Sequence, residues 1–299
     1  MISSVCYLTL FSLANSFVTK SALRSTPFRK SMASFVGNCP LPADSSILIV
    51  GSNRGLGLEL AKSTVAAGLT VYGTTRTTNP DMEALSSNGK FTVVPGIDML
   101  DEQAGTKIAA GLPAGRIDYV LLVAGYFTTE TFDELNFDEQ RKMMEICAFA
   151  PLRVTQQLHK SGHIVSGTKI GMITSEGGSI GLRTEKEGGA NYGHHMSKCA
   201  QNMMGKIMAL DLKPRGVAIV QLHPGFLRTE MTSHYSQFYE EFGAITADKA
   251  VEPILTAVHQ LKLDDVPGKF IAPMGSAGLG LGVNALPNSY LEPFGELPW

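Results

Sequence analysis

From Ser45 onward the chain alternates short apolar runs with stretches of helical spacing, and that alternation leaves few folds open. Ser46-Ile47-Leu48-Ile49-Val50 has the length of a strand and ends in Gly51, while Leu56 to Ala67 has helical spacing and stops at Gly68. Further strands are predicted over 69–75, 91–97, 117–124, 169–174, 217–222 and 269–272, with helices over 101–110, 136–160, 192–213 and 246–262. Ile117 to Ala124 is apolar nearly throughout, as expected of a strand covered on both faces. Strands alternating with helices of this length predict an α/β fold, a single doubly wound, Rossmann-like parallel sheet with helices on both faces. No linker or internal repeat interrupts residues 45–299, which are therefore read as one domain. Gly275 to Gly282 is glycine-rich but follows the last predicted strand, and reads as a loop rather than a phosphate cradle.

Composition narrows the class. Of the 299 residues 44% are hydrophobic and 17% charged, enough to bury a sizeable core. The net charge of −2 and the lack of a basic block argue against nucleic acid as a partner. The four cysteines, Cys6, Cys39, Cys147 and Cys199, are too sparse for a disulfide framework and show no metal-ligand spacing, so no metal site is expected. No apolar stretch is long enough to predict a membrane span. Residues 1–44 read as a targeting or disordered extension. They hold no acid before Asp44, an apolar run from Val5 to Leu13, and then Lys20, Arg24, Arg29 and Lys30 among hydroxyl residues. That pattern resembles a bipartite plastid presequence, with mitochondrial and cytoplasmic location as the alternatives.

The turn after the first strand carries the first chemical signal. Gly51-Ser52-Asn53-Arg54-Gly55-Leu56-Gly57 joins strand to helix, where glycines permit a tight turn and let the backbone, Asn53 and Leu56 included, approach a pyrophosphate at the helix N-terminus. An NAD site places an acid at the end of the second strand. Val71-Tyr72-Gly73-Thr74-Thr75-Arg76 has none, and Arg76 together with Arg54 offers two guanidinium groups to a 2′-phosphate. NADP (NADPH) is therefore expected rather than NAD.

Several ordered motifs now join this loop. They are Ile97-Asp98-Met99, Val123-Ala124-Gly125, Ile173-Thr174-Ser175-Glu176-Gly177-Gly178-Ser179-Ile180, Gly189-Ala190-Asn191-Tyr192-Gly193-His194-His195-Met196-Ser197-Lys198, His223-Pro224-Gly225-Phe226-Leu227-Arg228-Thr229-Glu230-Met231 and the closing Gly295-Glu296-Leu297-Pro298-Trp299. Over residues 45–299 the chain resembles short-chain dehydrogenases/reductases, and within them the C-factor (C-signal)-like and sniffer-like carbonyl reductase branch. The resemblance implies that Asp98 and Met99 edge the adenine and that Ala124 and Gly125 lie beneath the adenosine ribose. It implies that Ser175 orients a substrate, Lys198 holds the nicotinamide ribose, and Pro224, Gly225 and Thr229 contact the nicotinamide. It further implies a homodimer or homotetramer joined through the helices over 136–160 and 192–213.

The chain departs from that pattern where the proton moves. The family's Tyr, four residues before the Lys, corresponds to His194, and its helix Asn to Cys147. Leu122 and Val123 stand where asparagines are usual. The i, i+4 spacing keeps His194 and Lys198 on one helix face. An imidazole beside a Lys cation is pushed toward its neutral form, which accepts a proton more readily than it gives one. Tyr192 would face away from Lys198 on a regular helix and reads as packing. Cys147 reads as a small buried residue, and His195 and His223 as satisfied or exposed histidines. Two functions follow as expectations. One is an NADP-dependent oxidoreductase moving a hydride to or from a small carbonyl or alcohol, with Ser175, His194 and Lys198 as the catalytic set. The other is a catalytically impaired dinucleotide-binding protein acting as a redox sensor or assembly subunit.

Overall fold

A computed structural model describes residues 39–185, 188–275 and 292–299. Of the targeting or disordered extension expected over residues 1–44, residues 1–38 lie outside the described residues, as does most of the glycine-rich stretch after Gly275. The first half of the fold runs β1 (Ser46–Val50), α1 (Gly55–Ala66), β2 (Thr70–Thr74), α2 (Pro80–Ser86), β3 (Phe91–Val94), α3 (Ala104–Ala110) and β4 (Tyr119–Leu122). The second runs α4 (Phe137–Met144), α5 (Ala150–Lys160), β5 (Lys169–Ile173), α6 (Tyr192–Leu212), β6 (Ala218–Leu222), β7 (Leu227–Arg228), β8 (Ile245–Thr246), α7 (Ala247–Gln260), β9 (Phe270–Ala272) and β10 (Gly295–Glu296). Among the described residues no helix is long and apolar enough to cross a membrane.

The main sheet has the order β3-β2-β1-β4-β5-β6-β9-β10 and is parallel up to its last pair. The sheet is the doubly wound, mostly parallel one expected, with one antiparallel strand at its edge, β10 against β9. A two-residue strand from the far end of the chain carries no period to read, and it pairs here because the tail folds back on the edge of β9. The side chains of β1 divide by the two-residue period of a strand: Ile47 and Ile49 face α1 and α7, while Leu48 and Val50 face α3, α5 and α6. Two cores result, one on each side of the sheet, as the doubly wound reading requires.

The expected single helix over 136–160 is interrupted. Between α4 and α5, Glu145–Phe149 widens into a π turn, and the Ala150 N–H reaches back five residues to the Glu145 carbonyl. Pro151 is the physical reason: it has no N–H to give, and its ring crowds the preceding turn. Cys147 sits in this turn, fully buried, with its thiol on the Tyr126 carbonyl.

Sheet order reverses at β1 and β4, which opens a crevice at the carboxyl ends of the central strands. Gly51, Ala124, Ser175 and Pro224 all follow the ends of β1, β4, β5 and β6, so the predicted site residues converge there.

Candidate active site

One half of the crevice is built from backbone. Gly51 has φ +89°, and a Cβ placed on it would lie 2.8 Å from Ala124 Cα. A Cβ on Gly57 would lie 1.9 Å from the Gly51 carbonyl oxygen, so only glycine lets the turn close on α1. Helix α1 begins without a side-chain cap at Arg54 and without an acid in its first turn, leaving its N–H groups to an anion. Asn53, Gly55 and Leu56 are held in this loop, the Asn53 carbonyl by the Asn79 amide at 2.6 Å. Thr229 faces Gly55 from the other side: a Cβ there would lie 3.5 Å from the Thr229 methyl.

Arg76 is exposed just past β2, and among the described residues it pairs with no carboxylate. Arg54 is different, because its guanidinium reaches Glu230 at 2.6 Å across the mouth of the crevice. Beyond β3, the Asp98 carboxylate closes a local turn on the Leu100 N–H at 3.0 Å, and Met99 is buried beside it. Ala124 is tied to β1 by its N–H on the Val50 carbonyl at 2.8 Å. Pro224 and Gly225 follow β6, Gly225 with φ +92°.

The other half is built from side chains. Lys198 lies in α6, buried, and its ammonium donates to the Ile173 carbonyl at 3.2 Å and to Gln201 Oε1 at 2.9 Å. A Cβ on Gly125 would lie 4.0 Å from Lys198 Nζ, so the two halves meet here. His194 stands one helical turn before Lys198. Neither of its imidazole nitrogens has a hydrogen-bond partner among the described residues, in contrast to His195, whose Nδ1 meets the Ala190 carbonyl at 3.2 Å. The His194 ring packs edge-on against Phe127, centroids 4.7 Å apart, and Phe127 stacks in turn on His234. A Cβ on Gly177 would lie 3.0 Å from His194 Cε1, so the imidazole lies against the loop that follows Ser175.

Burial holds the His194 imidazole well below the ordinary histidine range, and the positive charges of Lys198, His195, Arg183 and His223 push it further down. The ring is therefore neutral at neutral pH. Ser175 Oγ accepts from the Gly177 N–H at 3.0 Å, and the Glu176 N–H donates to His223 Nδ1 at 3.1 Å. Arg183 pairs with Glu176, and the chain end pins the same loop, with Ser179 Oγ on the Pro298 carbonyl at 2.6 Å. Tyr192 opens α6 and its ring lies against Phe132, 6.3 Å between centroids, away from Lys198.

The entry of the chain into α6 is held by a group the sequence reading missed. Ala190 and Asn191 both have positive φ, +73° and +51°, a left-handed conformation that side chains rarely adopt. Buried Glu130 fixes them. Its carbonyl accepts from the Asn191 N–H at 2.9 Å, and its carboxylate accepts from Gly193 N–H at 2.5 Å, Asn136 N–H at 3.2 Å and Gln140 Nε2 at 2.8 Å. Burial raises the pKa of this carboxyl, and the three hydrogen bonds outweigh that and hold it below the ordinary range. Gln201, Phe127, His234 and Glu230 also went unread. Gln201 alone carried a local signal, as a polar residue on the face of α6 that must be buried.

The family model described as short chain dehydrogenase matches residues 45–240. The chain belongs to the short-chain dehydrogenase family. Among curated members of that family, it is 28% identical over 228 residues to the 1-hydroxy-2-glutathionyl-2-methyl-3-butene dehydrogenase of Rhodococcus sp. (strain AD45), covering 76% of this chain and 95% of the relative. It is 35% identical over 98 residues to the C-signal protein of Myxococcus xanthus, covering 33% and 57% respectively. Of the solved structures, the NADPH-bound carbonyl reductase from chicken fatty liver superposes with a TM-score of 0.66 at 22% identity, over 80% of this chain and 98% of that one. That likeness carries the fold, which the two chains share. Membership and homologous dehydrogenases make this short-chain dehydrogenase an oxidoreductase by descent.

Proposed function

We propose that the protein is an NADP-dependent oxidoreductase acting on a small carbonyl or alcohol, with His194 in the place of the family's Tyr. The observation that carries this reading is the His194 imidazole. It has no hydrogen-bond partner among the described residues, faces the Ser175 loop, and stands one turn from Lys198. The ring is half-buried, with its nitrogens uncommitted to the protein, as suits a polar group that a ligand or water completes.

The crevice fits a 2′-phosphorylated dinucleotide. Uncapped α1 and the close-packed glycines would take the pyrophosphate, Arg76 and Arg54 the 2′-phosphate, Asp98 and Met99 the adenine edge. Ala124, Gly125, Lys198, Pro224, Gly225 and Thr229 would line the ribose and nicotinamide end. Held by these residues, NADP(H) would supply or accept the hydride. Ser175 then orients the substrate oxygen, and the Lys198 cation stabilises negative charge nearby. Neutral His194 can accept the proton released when an alcohol is oxidised, and in reduction it relays a proton drawn from water. Acid–base assistance of this kind is worth about 10²–10⁴ in rate.

Binding of NADPH followed by turnover on a carbonyl and alcohol panel tests the reading, for wild type, His194→Tyr and Lys198→Ala. Tight NADPH binding with no wild-type turnover, and activity gained in His194→Tyr, would refute catalysis by this residue set. It would leave the dinucleotide-binding sensor or assembly subunit, a reading that the depressed His194 basicity favours.

Helices α4, α5 and α6 and the π turn between the first two expose Phe137, Phe149, Leu152, Met203, Ile207 and Leu210. An apolar area of this kind supports a homodimer or homotetramer formed through these helices. Met203→Glu with Ile207→Glu should give monomers by light scattering. The acid-poor first 44 residues support import into a plastid, which sequencing the mature N-terminus from a plastid fraction would test.

A further inference from the structure

We infer that Gln201 is the positioning residue for Lys198: its amide carbonyl anchors the ammonium so that one N–H stays directed into the crevice beside Gly125. This rests on the dinucleotide reading, since the nicotinamide ribose is what that N–H would meet.

The geometry is a closed triangle. Lys198 Nζ donates to Gln201 Oε1 at 2.9 Å and to the Ile173 carbonyl at 3.2 Å. Gln201 Nε2 donates to the same Ile173 carbonyl at 3.2 Å. The amide can take only one orientation, because its oxygen must face the ammonium and its nitrogen the carbonyl. Gln201 is 2% exposed, so a buried amide is retained at a place where an apolar side chain would otherwise fit, and both of its ends are satisfied. An ammonium has three N–H groups. Two are used on the protein, and the third takes no acceptor among the described residues. Gly125, with no side chain, leaves space next to Nζ.

The amide has a second consequence. Glutamine holds the cation without neutralising it, whereas a carboxylate in the same place would cancel its charge. Glu176, on the facing loop, is paired with Arg183. The Lys198 charge therefore acts undiminished on His194. So do the other groups that face that ring: His195 from the same helix, Arg183 from the loop after β5, and His223 from the end of β6. Gln201 thus couples the cofactor-facing ammonium to the protonation of His194.

The test uses Gln201→Leu, which keeps the volume and removes the acceptor, Gln201→Glu, which keeps the acceptor and adds charge, and Gln201→Asn. NADPH affinity is read by fluorescence titration, and the His194 imidazole by NMR titration of the cofactor-free protein. Loss of a hydrogen bond to a charged group predicts about a tenfold or greater rise in the NADPH Kd for Gln201→Leu. Gln201→Glu should move the His194 titration upward toward ordinary histidine. Gln201→Asn should restore part of the affinity lost in Gln201→Leu. Wild-type NADPH affinity in a folded Gln201→Leu, or an unmoved His194 titration in Gln201→Glu, would overturn the inference. Equal losses of melting temperature in all three, without those two effects, would assign Gln201 a packing role only. If wild type binds no dinucleotide, the functional reading fails by itself and the His194 titration alone decides this one. Should Gln201→Leu not fold, Gln201→Met takes its place.

Discussion

Glu130 offers the most direct test of how the site is held. Its carboxylate receives three donors, two of them backbone N–H groups, at the starts of α4 and α6. Glu130→Gln keeps the size of the side chain but presents an NH2 where one oxygen stood. If the remaining oxygen serves Asn136 and Gln140, the NH2 meets the Gly193 N–H, donor against donor, and that N–H is orphaned in a buried place. A hydrogen bond to a charged group is worth about 1.5–3 kcal/mol and an unsatisfied buried donor costs about 1–3 kcal/mol, so a net loss of roughly 2–4 kcal/mol is expected. At about 2–4 °C per kcal/mol for a domain of this size, the melting temperature should fall by roughly 5–15 °C. Urea unfolding of both proteins at neutral pH measures the difference. The sign with pH adds a second check. The folded-state pKa of Glu130 is depressed below 4.5, so its contribution is present above that value and is lost as pH falls through the folded pKa. The gap between wild type and Glu130→Gln should therefore narrow in acid. A loss under about 0.5 kcal/mol, the scatter of ordinary surface substitutions, would refute the account.

Three further outcomes follow from the crevice. Gly57→Ala would put a methyl 1.9 Å from the Gly51 oxygen and should abolish NADPH binding in fluorescence titration, so an unchanged Kd would count against the loop as the pyrophosphate site. Glu230→Gln removes the exposed partner of Arg54; such pairs are worth at most about 1 kcal/mol, so NADPH affinity at low salt should tighten by up to about fivefold while NADH stays unchanged. Improvement for both nucleotides alike would show that Arg54 does not meet a 2′-phosphate. His194 is held below its ordinary pKa of 6.5, so its contribution is complete above that value and is lost as pH falls through the folded pKa. Wild type should therefore lose stability between neutral pH and mild acid by more than His194→Phe does, and parallel curves from guanidinium melts would contradict the burial of a neutral ring.

The parts of the fold that sequence could show are those where a local period or a backbone requirement dictates the residue. The glycine loop was legible because geometry at Gly51 and Gly57 excludes a side chain. The central strands were legible because both faces are buried. The π turn was not, since Pro151 was absorbed into an otherwise amphipathic pattern over 136–160. Strand β10 was not, because two residues have no period and the pairing is set by a contact near the chain's end. In the site, Ser175 and the proline-glycine turn follow the ends of β5 and β6, and Lys198 lies on α6. Glu130 could not be read, because its partner Gly193 lies 63 residues away and nothing near Glu130 marks it as a cap. Gln201 could have been found. Ser197, Lys198, Gln201, Asn202 and Gly205 share the buried face of α6, and polar groups on such a face need partners.

The two halves of the crevice are independent in a way that bears on the reaction. The glycine loop, Arg76, Asp98 and Ala124 stand on β1 to β4 and α1, with positions fixed by backbone packing that His194 and Cys147 do not touch. The proton-handling groups stand on α6 and on the loop after β5, and are fixed by Glu130, Gln201 and the chain end at Pro298. An exchange at His194 can therefore change how a proton moves without disturbing the glycine loop, whereas an exchange at Gln201 or Lys198 reaches both halves. His194 lies in that second half, and Cys147 in the π turn between α4 and α5. Cys147 is spent on the Tyr126 carbonyl, and a thiol there gives Lys198 no oxygen acceptor. Lys198 takes its acceptor instead from Gln201 on its own helix. On the proposed reading, the electrostatics favour one direction. A fixed cation beside a neutral, uncommitted imidazole stabilises an alkoxide and offers a base to the proton that leaves it. On the proposed reading, alcohol oxidation should keep its rate below the ordinary histidine range, and an oxidation rate that falls with an apparent pKa at or above 6.5 would refute it.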